Sequence, residues 1–220
     1  MTNRRSFLTS LGAISGLTFL GKTAKLEAMP SRIASASSPW DLSWLDAFKG
    51  KHRQVFDFGD ADITEESHLV VIRNYLNAHK EVFGLDFPDV NTIVGIAYSA
   101  YPINASDSLW ETYPIGELWK IKDPKTGAWS RRNVYNDPSL TSPSKGAFDI
   151  SGLVARGTAF WQCNNAFGRV VSDLAKAAGK TNETARTELL AGMMPGVHLV
   201  PAHTMLIGLA QEHGFTYESM

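Results

Sequence analysis

Cys163 is the only cysteine in the 220 residues, so no internal disulfide can form and the core must hold without a covalent staple. The same scarcity excludes a Cys-x-x-Cys-His attachment of haem. Neither a Gly-x-Gly-x-x-Gly turn nor a Gly-rich loop ending in Lys-Ser/Thr is present, which removes the main support for a dinucleotide or nucleoside triphosphate fold. A Gly-x-Ser-x-Gly nucleophile elbow is missing too. The charge balance is 21 basic against 22 acidic groups, and no Lys/Arg cluster lies beyond the first residues, so nothing marks a nucleic-acid partner. No internal repeat or low-complexity tract is visible. What is present is a chain that is 44% hydrophobic and 20% charged, the balance of a globular protein with enough apolar surface to bury a core.

Residues 1–36 are set aside as a targeting segment in three parts. Asn3-Arg4-Arg5-Ser6-Phe7-Leu8 pairs two arginines with two large apolar residues. Leu8 to Leu20 is mildly apolar, diluted by Ser, Thr and Gly, and too short to span about 30 Å of hydrocarbon, so no stable membrane span is expected. Ala34-Ser35-Ala36 then supplies a small-x-small cleavage pattern. Arg4, Arg5, Phe7 and Leu8 together resemble the bacterial twin-arginine translocation signal. That resemblance implies the twin-arginine translocase as a transient partner, export of an already folded protein, and a periplasmic location. Loss of the segment leaves a mildly acidic chain.

Residues 37–52 read as a linker and docking segment, in which Trp40-Asp41-Leu42-Ser43-Trp44-Leu45 spaces its apolar groups as a helix would. Residues 53–220 are expected to form one α/β domain. Arg53 to Phe58 reads as a first strand ending at Gly59-Asp60. An amphipathic helix over 64–83, stopped by Gly84, follows. Val90 to Ala97 is a nearly unbroken, β-branched apolar run, the pattern of a strand buried on both faces of a parallel sheet. Residues 101–150 are punctuated by Asp-Pro, Thr-Gly and Ser-Pro steps, with at most a short helix within Trp110 to Trp119. We read them as a long irregular insertion, serving as a lid or a subunit contact. Thr158 to Cys163 is a third strand, Asn164 to Ala178 a helix closed by Gly179, and Glu183 to Ala191 a shorter helix. Val197 to Pro201, Thr204 to His213 and Phe215 to Tyr217 complete the chain as strand, helix and strand. This alternation predicts an α/β fold, a small three-layer sandwich with a mostly parallel sheet.

Ligands of such sheets bind outside the carboxyl ends of the strands, and Cys163 ends one. Asn164 or Asn165 can cap the helix that follows, whose N-terminal partial charge favours a thiolate. Cys163 is therefore either a reactive thiol or a buried small hydrophobe. His198 and His203 flank the end of the fourth strand and can face the same crevice, as acid–base partners or as structural histidines. With Cys163 they could also suit a soft metal, but their spacing matches no metal motif, so no metal or cofactor is assigned to them.

Gly157-Thr158-Ala159-Phe160-Trp161-Gln162-Cys163-Asn164-Asn165-Ala166, then Met194-Pro195-Gly196-Val197-His198-Leu199-Val200-Pro201-Ala202, and finally Leu209 to Tyr217 with its Gln-Glu-His-Gly-Phe, resemble the DsrE/DsrF-like sulfur-relay proteins. The resemblance implies a flavodoxin-like α/β fold and a tendency to form homo-oligomers. It also implies a sulfur-handling role, with Cys163 at the position of the persulfide-carrying cysteine and a small sulfur compound as partner. On this reading Cys163, His198 and His203 are candidate catalytic residues, and Trp161, Asn164 and Asn165 candidate binding residues. The expected function is an exported sulfur carrier or sulfurtransferase using a single cysteine. The alternative is a non-catalytic periplasmic binding or assembly module whose aromatic insertion forms a lid or oligomer contact. A small-cofactor or metal protein is a third option, suggested by folded export and the histidines.

Overall fold

The apolar run that begins at Val90 lies in the middle of the sheet. In the computed structural model, which describes residues 39–59, 68–140 and 146–220, this run is β2 (Val90–Ile96), and all seven of its residues are buried. On either side lie β1 (His52–Phe58) and β3 (Thr158–Cys163). The edges are β4 (Val197–Val200) beside β3 and β5 (Thr216–Ser219) beside β1, giving the order β4-β3-β2-β1-β5. Every neighbouring pair is parallel. A central parallel strand has no solvent face, which is why β2 shows no polar alternation.

Parallel pairing requires a crossover between successive strands. α1 (Leu69–Phe83) links β1 to β2. α2 (Tyr101–Asn104), α3 (Asp107–Thr112), α4 (Ile115–Leu118) and α5 (Ile150–Ala155) link β2 to β3. α6 (Asn164–Ala178) and α7 (Asn182–Ala191) link β3 to β4. These three connections step across the sheet in one direction, so right-handed crossovers place their helices on one face. α8 (His203–Glu212) then carries the chain from β4 back past three strands to β5. The direction is reversed, and α8 therefore covers the opposite face.

The core follows this division. Leu69, Ile72 and Leu76, at helical spacing, form the inner stripe of α1 and pack with Phe56, Val94, Phe160 and Phe167 in the larger core. Leu206 and Ala210 of α8 pack with Val55, Ile93 and Trp161 in the smaller one. A 3-10 turn, Ser43–Ala47, adds to this smaller core, with Leu45 buried and Leu42, Trp44 and Phe48 packed around it. The last strand, and not the second, flanks β1 on its outer side, which differs from the 2-1-3-4-5 order of flavodoxin-like sheets.

Residues 101–150, expected as a long irregular insertion serving as a lid or a subunit contact, carry short regular elements among their described residues. This stretch forms α2, α3 and α4 and two 3-10 turns, Val134–Asn136 and Pro138–Leu140. Tyr101, Ile103, Trp110, Tyr113 and Ile115 are fully or almost fully buried in the larger core. Helices of four to six residues are shorter than any window in which a 3.6-residue period can be read, so the sequence pattern hid them. Trp129 alone of the region's large aromatic groups is well exposed, at 44%.

Smaller differences lie at element ends. The second-to-last helix begins at Asn182 because the Thr181 hydroxyl accepts the Thr184 N–H at 3.2 Å, and the last begins at His203. α1 is described from Leu69, and its expected start at Thr64 lies outside the described residues. So do Arg4, Arg5, Phe7 and Leu8 of the export motif and the expected cleavage after Ala36. Among the described residues no helix is long and apolar enough to cross a membrane.

Candidate functional site

The chain leaves β3 for α6 on one face of the sheet and leaves β4 for α8 on the other. Adjacent strands whose connections diverge in this way open a crevice at their carboxyl ends, the place where parallel sheets bind ligands. Cys163 and Val200 are the last paired residues of these two strands. The single cysteine therefore stands at the switch point of the sheet.

Two helix N-termini converge on its sulfur. Cys163 has extended backbone and is itself the N-cap of α6, its Sγ accepting the Ala166 N–H at 3.5 Å. This corrects the expectation that Asn164 or Asn165 caps the helix: the strand runs to Cys163 and the helix starts one residue later, which leaves both asparagines inside the first turn. The His203 N–H, the first of α8, also donates to Sγ, at 3.2 Å. Unpaired N–H groups at helix starts carry partial positive charge, so two of them aimed at one sulfur suit a group that bears negative charge. Cys163 is 4% exposed.

The His203 side chain belongs to a buried chain of polar groups. Its Nδ1 lies 3.1 Å from Trp161 Nε1 and its Nε2 lies 2.6 Å from Asp57 Oδ1. An indole N–H can only donate, so Nδ1 is the acceptor and Nε2 carries the proton given to Asp57. Asp57 further accepts the Gly59 N–H at 2.7 Å and the Tyr217 hydroxyl at 2.8 Å. Burial pushes the Asp57 carboxyl up, but the Gly59 N–H, the Tyr217 hydroxyl and His203 outweigh it and hold the group below the ordinary carboxylate range. The hydrogen bond to Asp57 raises the Tyr217 hydroxyl in turn. Gly95 makes the packing possible, because a Cβ there would lie 2.7 Å from Trp161 Cε2 and 2.9 Å from His203 Cε1.

The other expected site residues are dispersed. His198 pairs in register with Trp161, and its ring stacks on Trp44 at 4.2 Å. Burial pushes the imidazole below its ordinary value against the pull of Asp41. Among the described residues no hydrogen bond or ring contact joins His198 to Cys163. Asn164 accepts from Arg186 Nη2 at 2.6 Å, which ties α6 to α7, and Asn165 is exposed on the first turn. Trp161 is fully buried, and it touches the site through His203.

Sequence reasoning missed Asp57, Tyr217 and Asn104. Asn104 Nδ2 donates to the Trp161 carbonyl at 3.2 Å and to Gln162 Oε1 at 3.1 Å, while Gln162 Nε2 donates to the Ala97 carbonyl at 3.0 Å, so α2 and the end of β2 brace the end of β3. One signal for Asp57 was available: it is an acidic residue near the carboxyl end of an apolar parallel strand, where functional groups gather. Among the described residues no three His, Cys, Asp or Glu side chains converge as a metal-binding group.

No family model matches the chain, and no curated relative matches it. Among solved structures, a protein of unknown function from Methanobacterium thermoautotrophicum is similar to it, at 16% sequence identity and a TM-score of 0.36, over 77% of this chain and 99% of that one.

Proposed function

We propose that this chain is a sulfur carrier of the sulfurtransferase type, working through Cys163 alone. The observation that carries the reading is the convergence of the Ala166 and His203 N–H groups on a single sulfur at the switch point of a parallel sheet. In the reaction the Cys163 thiolate attacks the outer, sulfane sulfur of a donor persulfide, R–S–SH. A new S–S bond forms on Cys163 as the donor's S–S bond breaks, and the donor leaves as the thiol R–SH, keeping its proton, so that no outside oxidant or reductant is needed. The two N–H donors face the attacking sulfur, whose negative charge passes to the transferred outer sulfur as the new S–S bond forms.

The twin-arginine start supports the companion proposal that the folded domain works in the periplasm after export. One experiment tests both. Protein recovered from a periplasmic fraction is exposed to a low-molecular-weight persulfide, and its intact mass is read without reductant. A gain of one sulfur atom on Cys163, reversed by a reductant, is the expected result, together with a chain that begins after Ala36. A Cys163 that stays unmodified and resists alkylation until the protein unfolds overturns the carrier reading, and its sulfur is then only the cap of α6. A chain that retains Arg4 and Arg5 overturns the export reading.

A further inference from the structure

We propose that His203 is a pH-responsive positioning residue: its imidazole, clasped between Trp161 and Asp57, holds the first N–H of α8 on the Cys163 sulfur, and protonation of its Nδ1 loosens that hold. The inference uses the sulfur-carrier reading only for what the uncovered thiol is for.

Nδ1 accepts the indole N–H at 3.1 Å, so a proton added at Nδ1 sets two N–H groups head to head, and one ring has to move. The Asp57 side does not give way, because a cationic ring binds the carboxylate at 2.6 Å more strongly than a neutral one. The sheet does not give way either, since both rings already rest on the backbone of β2 at Gly95 with no space for even a methyl group. Movement is left to the opposite direction, into the first turn of α8. The N–H that holds Sγ is the backbone N–H of the same residue, so a displacement of the ring that carries the first turn of α8 with it also releases the sulfur.

The titratable groups that face His203 among the described residues are few. β1 contributes Asp57, β3 contributes Cys163, and β5 contributes Tyr217 behind Asp57, whereas β2 contributes only Gly95. Asp57 is held in its charged form across the range in which a histidine titrates, and it steadies the ring in both states.

The test compares Cys163 in the whole protein and in His203→Asn, whose side-chain carbonyl can still accept the Trp161 N–H but does not titrate. The probe is 4,4′-dithiodipyridine, which reacts with thiols in acid as well as in base. At each pH the rate of the unaltered protein is divided by that of the variant, so the ionisation of the thiol itself cancels. The ratio is expected to rise at least about fivefold, the lower end of ordinary coupling between sites, as pH falls from about 8 to about 5. A ratio that stays level across that range overturns the proposal. A second measurement covers a variant that fails to fold: in the unaltered protein, nitrogen NMR should show the His203 backbone amide shifting along with its ring titration, and an amide that ignores the ring refutes the coupling. A rising ratio with no sulfur loading would leave the positioning role standing and remove the carrier function. Loading with a level ratio would do the reverse.

Discussion

Removing Trp110 tests whether the region between β2 and β3 is a structural part of the core. Trp110 lies on α3, is fully buried, and donates its indole N–H to the Pro102 carbonyl at 3.3 Å. A buried tryptophan covers roughly 150–250 Å², which at about 25 cal/mol per Å² corresponds to roughly 4–6 kcal/mol of transfer free energy. Measured Trp→Ala exchanges in cores cost about 3–5 kcal/mol because part of the cavity collapses. Total stabilities run to about 5–15 kcal/mol, so Trp110→Ala should remove a large fraction of it. For a domain of this size the midpoint temperature should fall by about 2–4 °C per kcal/mol. Equilibrium unfolding in urea, followed by circular dichroism, gives the number, with an unchanged m-value confirming that the same transition is being measured. Trp129→Ala is the control, since Trp129 belongs to the same region but is half exposed and holds only the Lys122 ammonium over its ring at 5.5 Å. An exposed cation–π contact is worth about 0.5–1 kcal/mol. If the two variants lose the same amount, both under about 1 kcal/mol, the region is a detachable lid and the reasoning fails.

Two further predictions concern packing and pH. Gly95→Ala should destabilise by roughly 1–3 kcal/mol through overpacking against Trp161 and His203, and it should also speed the reaction of Cys163 with a disulfide probe; a neutral exchange in a melting experiment would show that the rings have room. The second concerns Arg132, which binds Asp123 at 2.7 and 3.1 Å and Asp137 at 2.6 Å, while Lys125 also reaches Asp137 at 2.8 Å. Arg132 holds Asp123 below the ordinary carboxylate range, and Lys125 and Ser139, with help from Arg132, do the same for Asp137. A carboxyl depressed in the folded state contributes stability that is present above its unfolded value and is lost as pH falls through the folded one. The melting temperature should therefore decline as pH falls from about 5 towards about 2, and Arg132→Met should flatten that decline. Parallel curves for the two proteins would contradict it.

Composition, the period of the long helices and the turn residues between elements were enough to place β1 to β5 and the long helices. The all-apolar Val90–Ile96 run marked a strand with no solvent face, and the strand–helix alternation implied a parallel sheet. α2, α3 and α4 were barely legible, since a helix of one turn leaves no period: the sequence allowed at most a short helix within Trp110 to Trp119, and only the tertiary structure puts Trp110 and Tyr113 in the larger core. The site divides in the same way. That Cys163 ends a strand and precedes a helix is written in the local sequence. The rest depends on which strand lies beside which: only the pairing of β3 with β4 brings His203, just past the end of β4, onto Cys163, and only the pairing of β1 with β5 brings Asp57 to Tyr217. Local sequence sets φ, ψ and the period of side chains along one element. Contacts between residues far apart in the chain, such as His203 and Asp57, are set by strand order and crossover direction, which no single segment encodes.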